Sequence, residues 1–198
     1  MTEAGDQVVE TGVRTRTRQA ILDAAVVVLS RDSSASLSEV AREAGVGRTT
    51  LHRYFAERSD LVHAIGTLTL ERIAVATDRA KLEVGPAREA IVRLCREYFE
   101  LLGDVLSLVF TDPQFSSGLD WHEESDSDLA LLALVQRGHR DGSIDRELTP
   151  EWVQQALWAL LYAAWAFVRE CGVSRHEALG QCLRSLDRML HPVGERAG

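Results

Sequence analysis

The sequence has few cysteines and no long apolar run, and disulfide-rich, zinc-binding and membrane-spanning proteins depend on these features. Its three cysteines, Cys95, Cys171 and Cys182, form no C-x-x-C pair, so their spacing suggests neither a disulfide framework nor a zinc site. The longest apolar run, 157–168, falls well short of the roughly 20 residues that a membrane-spanning helix needs. The first residues do not show the charged, apolar and small-residue pattern of a secretory leader, so we expect no secretory signal. We therefore expect a reduced, cytoplasmic protein with no membrane partner.

Sequence motifs for catalysis and metal binding are also missing. The chain has no G-x-S-x-G elbow, no phosphate-binding loop and no spaced set of metal ligands. His122 stands beside Glu123 and Glu124, but consecutive ligands in a loop rarely close around a metal ion, so we interpret this run as a solvated loop. We predict no enzyme activity, no bound metal and no cofactor.

The stretch 36–61 predicts two short helices joined by a tight turn. Ser36 followed by Glu39 has the spacing of a capping box, which starts a helix. Gly45 can adopt the left-handed conformation that ends this helix without steric cost. A second helix then opens at Arg48, so the pattern is that of a helix-turn-helix unit.

The second of these helices divides its residues between two faces. At about 100° per residue, one side is basic or able to form hydrogen bonds, and the other is mainly apolar. A short helix with a basic front fits the DNA major groove, where Arg and Thr can contact base edges or phosphates. The front comprises Arg48, Thr49, His52 and Arg53, and the back comprises Thr50, Leu51, Tyr54 and Phe55.

The same residues resemble the N-terminal DNA-binding domain of the tetracycline-repressor (TetR) family. The matching positions are Ala44-Gly45-Val46, Thr50-Leu51, Tyr54-Phe55, Arg58 in place of a lysine, and Leu61. The loop 30–35 lacks the usual glycine-aromatic pair, and His52 replaces a tyrosine that commonly reaches a phosphate. The resemblance implies an all-α regulator, in which a three-helix DNA-binding domain precedes a helical domain for ligand binding and dimerisation.

Candidate DNA contacts extend beyond the second helix of the motif. Three arginines on alternate positions precede the first helix, where we expect them to contact phosphates or to enter a narrow minor groove as an arm. The alternative is an ordinary solvated terminus. We predict Arg48, Thr49 and Arg53 as base readers. The other predicted contacts are Arg14, Arg16, Arg18, Ser36, Thr50, His52, Tyr54 and Arg58.

The net charge of −8 is unevenly spread along the chain. Residues 14–58 contain eight arginines and five acidic residues, a net charge of +3, which leaves −11 for the rest. A basic module on an acidic body directs the attractive face at phosphate and limits non-specific binding. This charge distribution favours a sequence-specific DNA-binding regulator over a protein that coats nucleic acid without specificity.

The helical pattern divides the chain into four segments. We predict a disordered arm over 1–13, a helix-turn-helix domain over 14–60, a ligand-binding and dimerisation domain over 61–192, and a tail over 193–198. A fourth helix, from Asp60 to about Leu82 with Ser59 as its cap, is long enough to act as a lever between the domains. Residues 114–127 are predicted as a loop.

The last two helices are predicted to form a homodimer interface. The helix that begins at Thr149-Pro150 is apolar on nearly every side, and such a helix must be buried all round. One side can face the body, and the other can face the same two helices of a second subunit. Such a dimer would read a palindromic operator in double-stranded DNA.

The TetR resemblance also implies a pocket in the body for a small-molecule effector, and hence a ligand-responsive regulator, most simply a repressor. Few charged groups share the faces that carry the aromatic residues, so we expect a mostly apolar effector. Plain core packing is the alternative for each residue, and a body that docks another protein is the alternative for the domain. The candidates are Tyr98, Phe99, Phe110, Phe115, Trp121, Trp158, Tyr162 and Trp165.

Overall fold

The computed structural model describes residues 3–103, 105, 108, 115 and 125–192. These residues form α-helices and contain no strand, which confirms the all-α prediction. The helices are α1 (Glu3–Arg31), α2 (Leu37–Glu43), α3 (Arg48–Tyr54), α4 (Arg58–Arg79), α5 (Ala87–Leu102), α6 (Asp126–Asp141), α7 (Pro150–Cys171) and α8 (Arg175–Leu190). Within the described part of the chain, no helix is both long and apolar enough to cross a bilayer.

The buried apolar side chains form two clusters. The first joins α1, α2, α3 and the first half of α4, and we call this part the head. The second joins the end of α4 to α5, α6, α7 and α8, and we call this part the body. Val105, Leu108 and Phe115, which follow α5, are buried in the cluster of the head. Most DNA-binding candidates therefore lie on the head, and most effector candidates lie in the body.

Helix α4 contributes to both clusters, as a connecting helix must. Leu61 and Ile65 pack in the head, whereas Ile73 and Ala76 pack in the body. The helix has no break between these parts. The domain boundary at residue 60 therefore stays a prediction, since the structure joins the two parts through one continuous helix.

The start of α4 differs from the sequence prediction, because Glu57 rather than Ser59 occupies the cap position. The Asp60 carboxylate accepts a hydrogen bond from the backbone N–H of Glu57 at 3.0 Å, which closes the first turn two residues earlier than expected. The acidic side chain in this turn also favours the positive end of the helix dipole.

Helix α1 extends further upstream than expected. It begins at Glu3, so residues 3–13 are helical where the sequence predicts a disordered arm. No proline interrupts this stretch, so the backbone hydrogen bonds can continue upstream of the buried stripe that starts at Ile21. Residues 1–2 and the predicted tail, 193–198, lie outside the described residues.

Helix α6 begins at Asp126, inside the predicted loop 114–127. The Ser125 hydroxyl accepts a hydrogen bond from the backbone N–H of Asp128 at 3.2 Å, and the Asp128 carboxylate accepts one from the N–H of Ser125 at 3.1 Å. Acidic residues also stabilise a helix N-terminus. The loop prediction is therefore wrong for residues 126–127, and the acidic run with His122 lies outside the described residues.

Helix α7 is buried on one side in the single chain. It starts as predicted, with the Thr149 hydroxyl accepting from the backbone N–H of Trp152 at 3.3 Å and Pro150 as the first helical residue. The opposite side exposes Ala159, Ala163 and Trp152, which is 60% exposed. The predicted burial of α7 on all sides therefore needs a second subunit that covers this exposed side. The side that packs on the body carries Val153, Leu157, Leu161, Ala164 and Trp165.

Gly138 on α6 is in close contact with Ile144, and we expect Gly138→Ala to destabilise the protein. An added Cβ would lie 2.3 Å from Ile144 Cδ1 and 2.9 Å from its Cβ. We expect a loss of about 1–2 kcal/mol in the free energy of unfolding, because overpacking outweighs the gain in helix propensity. Urea unfolding followed by circular dichroism measures this loss.

The control for this substitution is Gln136→Ala on the same helix. Gln136 is exposed, so alanine should change the free energy of unfolding by less than about 0.5 kcal/mol. Equal losses of stability at Gly138 and Gln136 would contradict the packing described for α6.

Candidate DNA-binding face and effector-binding body

The turn between α2 and α3 has the geometry that the sequence predicts. Ser36 Oγ accepts a hydrogen bond from the Glu39 N–H at 3.3 Å, and the Glu39 carboxylate accepts one from the Ser36 N–H at 2.8 Å, which completes the capping box. After α2, Gly45 has a φ of 66°, and the Val46 N–H donates to the carbonyl oxygen of Ala41 at 2.9 Å. Both ends of α2 are thus fixed, and with them the start of α3.

Ser36 already has a partner at the position where we predict a phosphate contact. Its hydroxyl donates to the Glu39 carboxylate at 2.9 Å. The hydrogen bonds from Ser36 lower the pKa of Glu39 below its ordinary value. A phosphate contact by this hydroxyl would have to replace the bond to Glu39, and it stays a prediction.

Helix α3 has the two faces that the sequence predicts. Leu51 and Phe55 are buried in the cluster of the head. Thr50 and Tyr54 lie half-buried at the edge. The burial of the apolar back leaves the polar front facing solvent, and this front consists of the exposed residues Arg48, Thr49, His52 and Arg53.

Three side chains around the end of α3 are held by neighbouring groups. The guanidinium of Arg53 lies 5.6 Å from the centroid of the Tyr54 ring, and that of Arg18 on α1 lies 5.6 Å from the centroid of Phe55. A cation over an aromatic ring is attracted by the ring quadrupole. His52 Nδ1 lies 3.3 Å from the carbonyl oxygen of Ala56. These contacts restrict the directions in which the basic side chains extend.

The three N-terminal arginines lie on helix α1. Arg14 and Arg18 are four residues apart and share one side of the helix, whereas Arg16 lies about 200° around the axis from Arg14. An extended arm in the minor groove therefore does not fit this part of the chain. Phosphate contacts by the three side chains stay predictions.

Arg58 joins the start of α4 to the loop between α1 and α2. Its guanidinium donates to the carbonyl oxygen of Ala35 at 2.7 Å and to that of Ser33. This is the loop that lacks the glycine-aromatic pair of the TetR pattern. The sequence indicated a phosphate contact for Arg58 but not this structural role, because its partners lie 23 and 25 residues away.

Four aromatic candidates of the body form two stacked pairs between α5 and α7. The ring centroids of Tyr98 and Trp158 are 5.0 Å apart, and their planes are inclined by 9°. The centroids of Phe99 and Trp165 are 4.8 Å apart, with an angle of 20°. The guanidinium of Arg175 lies 4.7 Å from the Trp165 ring. The structure therefore brings these four predicted residues together.

Polar groups accompany both aromatic pairs. The Tyr98 hydroxyl is 2.9 Å from Thr77 Oγ1, and burial raises the pKa of Tyr98 to about 12. The Asp128 carboxylate, which adds to this shift, accepts a hydrogen bond from the Gln154 amide at 2.6 Å. The indole N–H of Trp165 is buried without a hydrogen-bond partner among the described residues. The Trp165 indole donor therefore belongs to one aromatic pair, and the Asp128 carboxylate is close enough to the other pair to affect the pKa of Tyr98.

The other four effector candidates are placed differently. Phe115 is buried in the cluster of the head, and Tyr162 is half-buried on α7. Phe110 and Trp121 lie outside the described residues. The polar neighbours of the aromatic pairs were not predicted, since single polar residues on separate helices carry no pattern that marks their proximity. These neighbours are Thr77, Asp128, Gln154 and Arg175.

Comparison with known proteins connects the head and the body to one family. The sequence model described as "Bacterial regulatory proteins, tetR family" matches residues 21–65. The HTH-type transcriptional repressor LfrR of Mycolicibacterium smegmatis is 33% identical over 178 residues, which cover 90% of this chain and 92% of LfrR. The chain belongs to the TetR family.

A second relative and a crystal structure of LfrR extend this result. The HTH-type transcriptional regulator NfxB of Pseudomonas aeruginosa is 31% identical over 147 residues, which cover 70% of this chain and 74% of NfxB. The crystal structure of LfrR in complex with proflavine matches with a TM-score of 0.70 at 32% identity, over 90% of this chain and 98% of that chain. The TetR-like fold therefore includes the body as well as the head.

Membership of the TetR family establishes the general function. The chain is a DNA-binding transcriptional regulator with its helix-turn-helix in the head. TetR regulators bind DNA and small molecules and typically dimerise. The relatives are regulators rather than enzymes.

We expect Arg58→Ala to destabilise the head, because the substitution removes the hydrogen bonds to the α1–α2 loop. The expected loss is about 1–3 kcal/mol in the free energy of unfolding, measured by urea titration. Arg42→Ala, an exposed arginine on α2, is the control and should change this energy by less than about 0.5 kcal/mol. Similar losses for both variants would contradict the structural role of Arg58.

Proposed function

We propose that this TetR-family protein is a dimeric repressor, which binds a palindromic operator through α3 and is released by a small aromatic effector in the body. The observation that carries the proposal is the orientation of α3. Its apolar back, Leu51 and Phe55, is buried in the head, so its basic front faces outwards. A helix presented in this way has the shape and chemistry to enter a major groove.

The front of α3 contains groups for both recognition and positioning. Arg48, Thr49 and Arg53 are exposed and are the proposed base readers, since Arg can bind a guanine edge bidentately and Thr can contact a base or a thymine methyl. The proposed phosphate contacts position the head on the duplex. These contacts are Arg14, Arg16, Arg18, Ser36, Thr50, His52, Tyr54 and Arg58.

The exposed side of α7 supports a homodimer through α7 and α8. Ala159 and Ala163 are small, so the backbone of a second subunit could approach closely, and Trp152 supplies apolar surface. Two-fold symmetry would then place two α3 helices about 34 Å or a multiple of a helical turn apart, as a palindromic operator requires. A regulator that acts on bacterial DNA in this way would work in the cytoplasm.

The stacked aromatic pairs support a planar, mostly apolar effector. LfrR, a relative that shares the fold of head and body, has been crystallised with proflavine. In this chain, Tyr98 and Trp158 provide flat surfaces, and the Asp128 carboxylate is a candidate for contact with a polar or positively charged group. To release DNA, such a ligand must prefer the released state over the DNA-bound state by about 1–3 kcal/mol.

The alternative is a DNA-bound regulator whose body docks another protein. Trp152 and Leu129 are exposed large apolar residues of the body and would suit such a surface. Displacement of DNA by a small aromatic compound alone supports the effector, whereas a requirement for a second protein supports docking.

Arg48→Ala tests the proposed reading of DNA. Genomic fragments that the wild-type protein retains should be enriched in an inverted repeat. Arg48→Ala should lose about 1–3 kcal/mol of binding free energy at one base pair of each half-site and so relax the preference there. Binding is measured by fluorescence anisotropy at fixed salt concentration.

Arg79→Ala on α4, outside the proposed interface, is the control for Arg48 and should keep the preference unchanged. The absence of any inverted repeat among the retained fragments would count against the dimeric reading of DNA. An unchanged preference in Arg48→Ala would remove that residue from the base readers.

Trp158→Phe tests the proposed effector site with proflavine as the probe. The smaller ring offers proflavine less flat surface for stacking, so the dissociation constant for proflavine should rise about tenfold, which corresponds to about 1.4 kcal/mol. Val84→Ala, at an exposed apolar residue between α4 and α5 and outside the proposed dimer interface, is the control and should leave the constant unchanged. Equal effects at both positions, measured by fluorescence titration, would contradict the proposed site.

A further inference from the structure

Two cysteines on separate helices meet inside the body. The sulfur atoms of Cys95 on α5 and Cys182 on α8 are 3.6 Å apart. Cys95 is completely buried, and Cys182 is 4% exposed. Because 87 residues separate the two cysteines in the sequence, only the folded body brings them together. Their spacing in the sequence gave no sign of this pair.

The two sulfur atoms are in van der Waals contact, which is farther apart than a covalent bond requires. A disulfide needs its sulfur atoms about 2.05 Å apart, so the two atoms would have to approach by about 1.5 Å. Helices in switching proteins shift by about 1–2 Å. Movement of α5 and α8 on this scale, together with rotation of the side chains, could therefore close the gap.

The contact between the two thiols shifts the pKa values of the two cysteines in opposite directions. The contact between the two thiols lowers the pKa of Cys182, although burial opposes the shift. The same contact, together with burial, raises the pKa of Cys95. Because the thiolate is the reactive form and Cys182 is the less buried of the two residues, we expect Cys182 to be the sulfur that attacks an oxidant first.

We propose that Cys95 and Cys182 form an oxidisable dithiol, which a hydroperoxide converts into an intramolecular disulfide between α5 and α8. The Cys182 thiolate attacks one peroxide oxygen and becomes a sulfenic acid, while the O–O bond breaks and the other oxygen leaves as water or an alcohol after taking up a proton. Cys95 then attacks the sulfenic sulfur. The S–S bond forms, and hydroxide leaves as water with the proton of the Cys95 thiol. Two electrons pass from the thiols to the hydroperoxide.

The disulfide would restrain two helices, of which one contacts the connecting helix α4 and the other belongs to the proposed dimer interface. Helix α5 contacts α4 through the hydrogen bond between Tyr98 and Thr77, and α8 belongs to the proposed dimer interface. A disulfide would therefore fix α5 relative to α8 and shorten the loops available to the unfolded chain. The proposal depends on neither the operator nor the effector.

The test uses the full chain with Cys171→Ser, because the exposed Cys171 could otherwise link two molecules. The folded protein is treated with hydrogen peroxide, its free thiols are counted, and its peptides are mapped by mass spectrometry without reduction. We expect the loss of both remaining thiols, a linked peptide pair that contains Cys95 and Cys182, and recovery with dithiothreitol. The melting temperature of the oxidised protein should rise by about 5–10 °C.

A second variant separates the disulfide from other oxidation. Cys171→Ser with Cys182→Ser lacks the attacking sulfur, so peroxide should leave Cys95 free and the melting temperature unchanged. The proposal is overturned if the Cys171→Ser protein keeps both thiols under conditions that oxidise glutathione, or if the thiols oxidise without a linked peptide. If the double variant does not fold, peptide mapping of the oxidised wild-type chain shows whether the disulfide links Cys95 to Cys182.

Discussion

The proposed DNA-binding face depends on the burial of Leu51 and Phe55 in the head. Each such burial contributes about 1.5–3 kcal/mol, which exceeds the roughly 0.5–1 kcal/mol of an exposed cation over a ring, such as Arg18 over Phe55. Hydrophobic burial therefore determines how α3 is seated. The basic residues on the opposite side face outwards as a consequence, since a helix that buries one side presents the other.

Helix α4 is the physical link between this face and the body. Its exposed ion pair with α1, Arg72 with Asp23 at 3.2 Å, contributes at most about 1 kcal/mol. The stronger connections are the burial of Leu61 and Ile65 in the head and the hydrogen bonds of Arg58 to the α1–α2 loop. In the body, Thr77 of α4 contacts Tyr98 of the aromatic pair. A ligand that displaces Tyr98 therefore acts directly on the helix that holds the head.

Local patterns in the sequence predicted the features that depend on neighbouring residues. The capping box at Ser36, the glycine turn at Gly45 and the two faces of α3 each involve residues within a few positions of one another. The start of α4 differs from the prediction at Ser59 because the Asp60 carboxylate accepts a hydrogen bond from the Glu57 N–H, which closes the first turn two residues earlier. Contacts between distant residues could not be predicted, and these include Arg58 with Ala35, Asp128 with Gln154, and Cys95 with Cys182. Their partners are brought together only by the packing of helices.

Protection of guanine N7 from methylation by dimethyl sulfate tests most directly whether the front of α3 enters the major groove. Guanine N7 is exposed in the major groove and adenine N3 in the minor groove, so the reagent distinguishes the two. The orientation of α3 predicts that the bound protein protects guanines in each half-site of a retained DNA fragment, and that replacing Arg48 exposes one of them. Protection confined to adenine N3, or guanines that stay fully reactive in the complex, would contradict it.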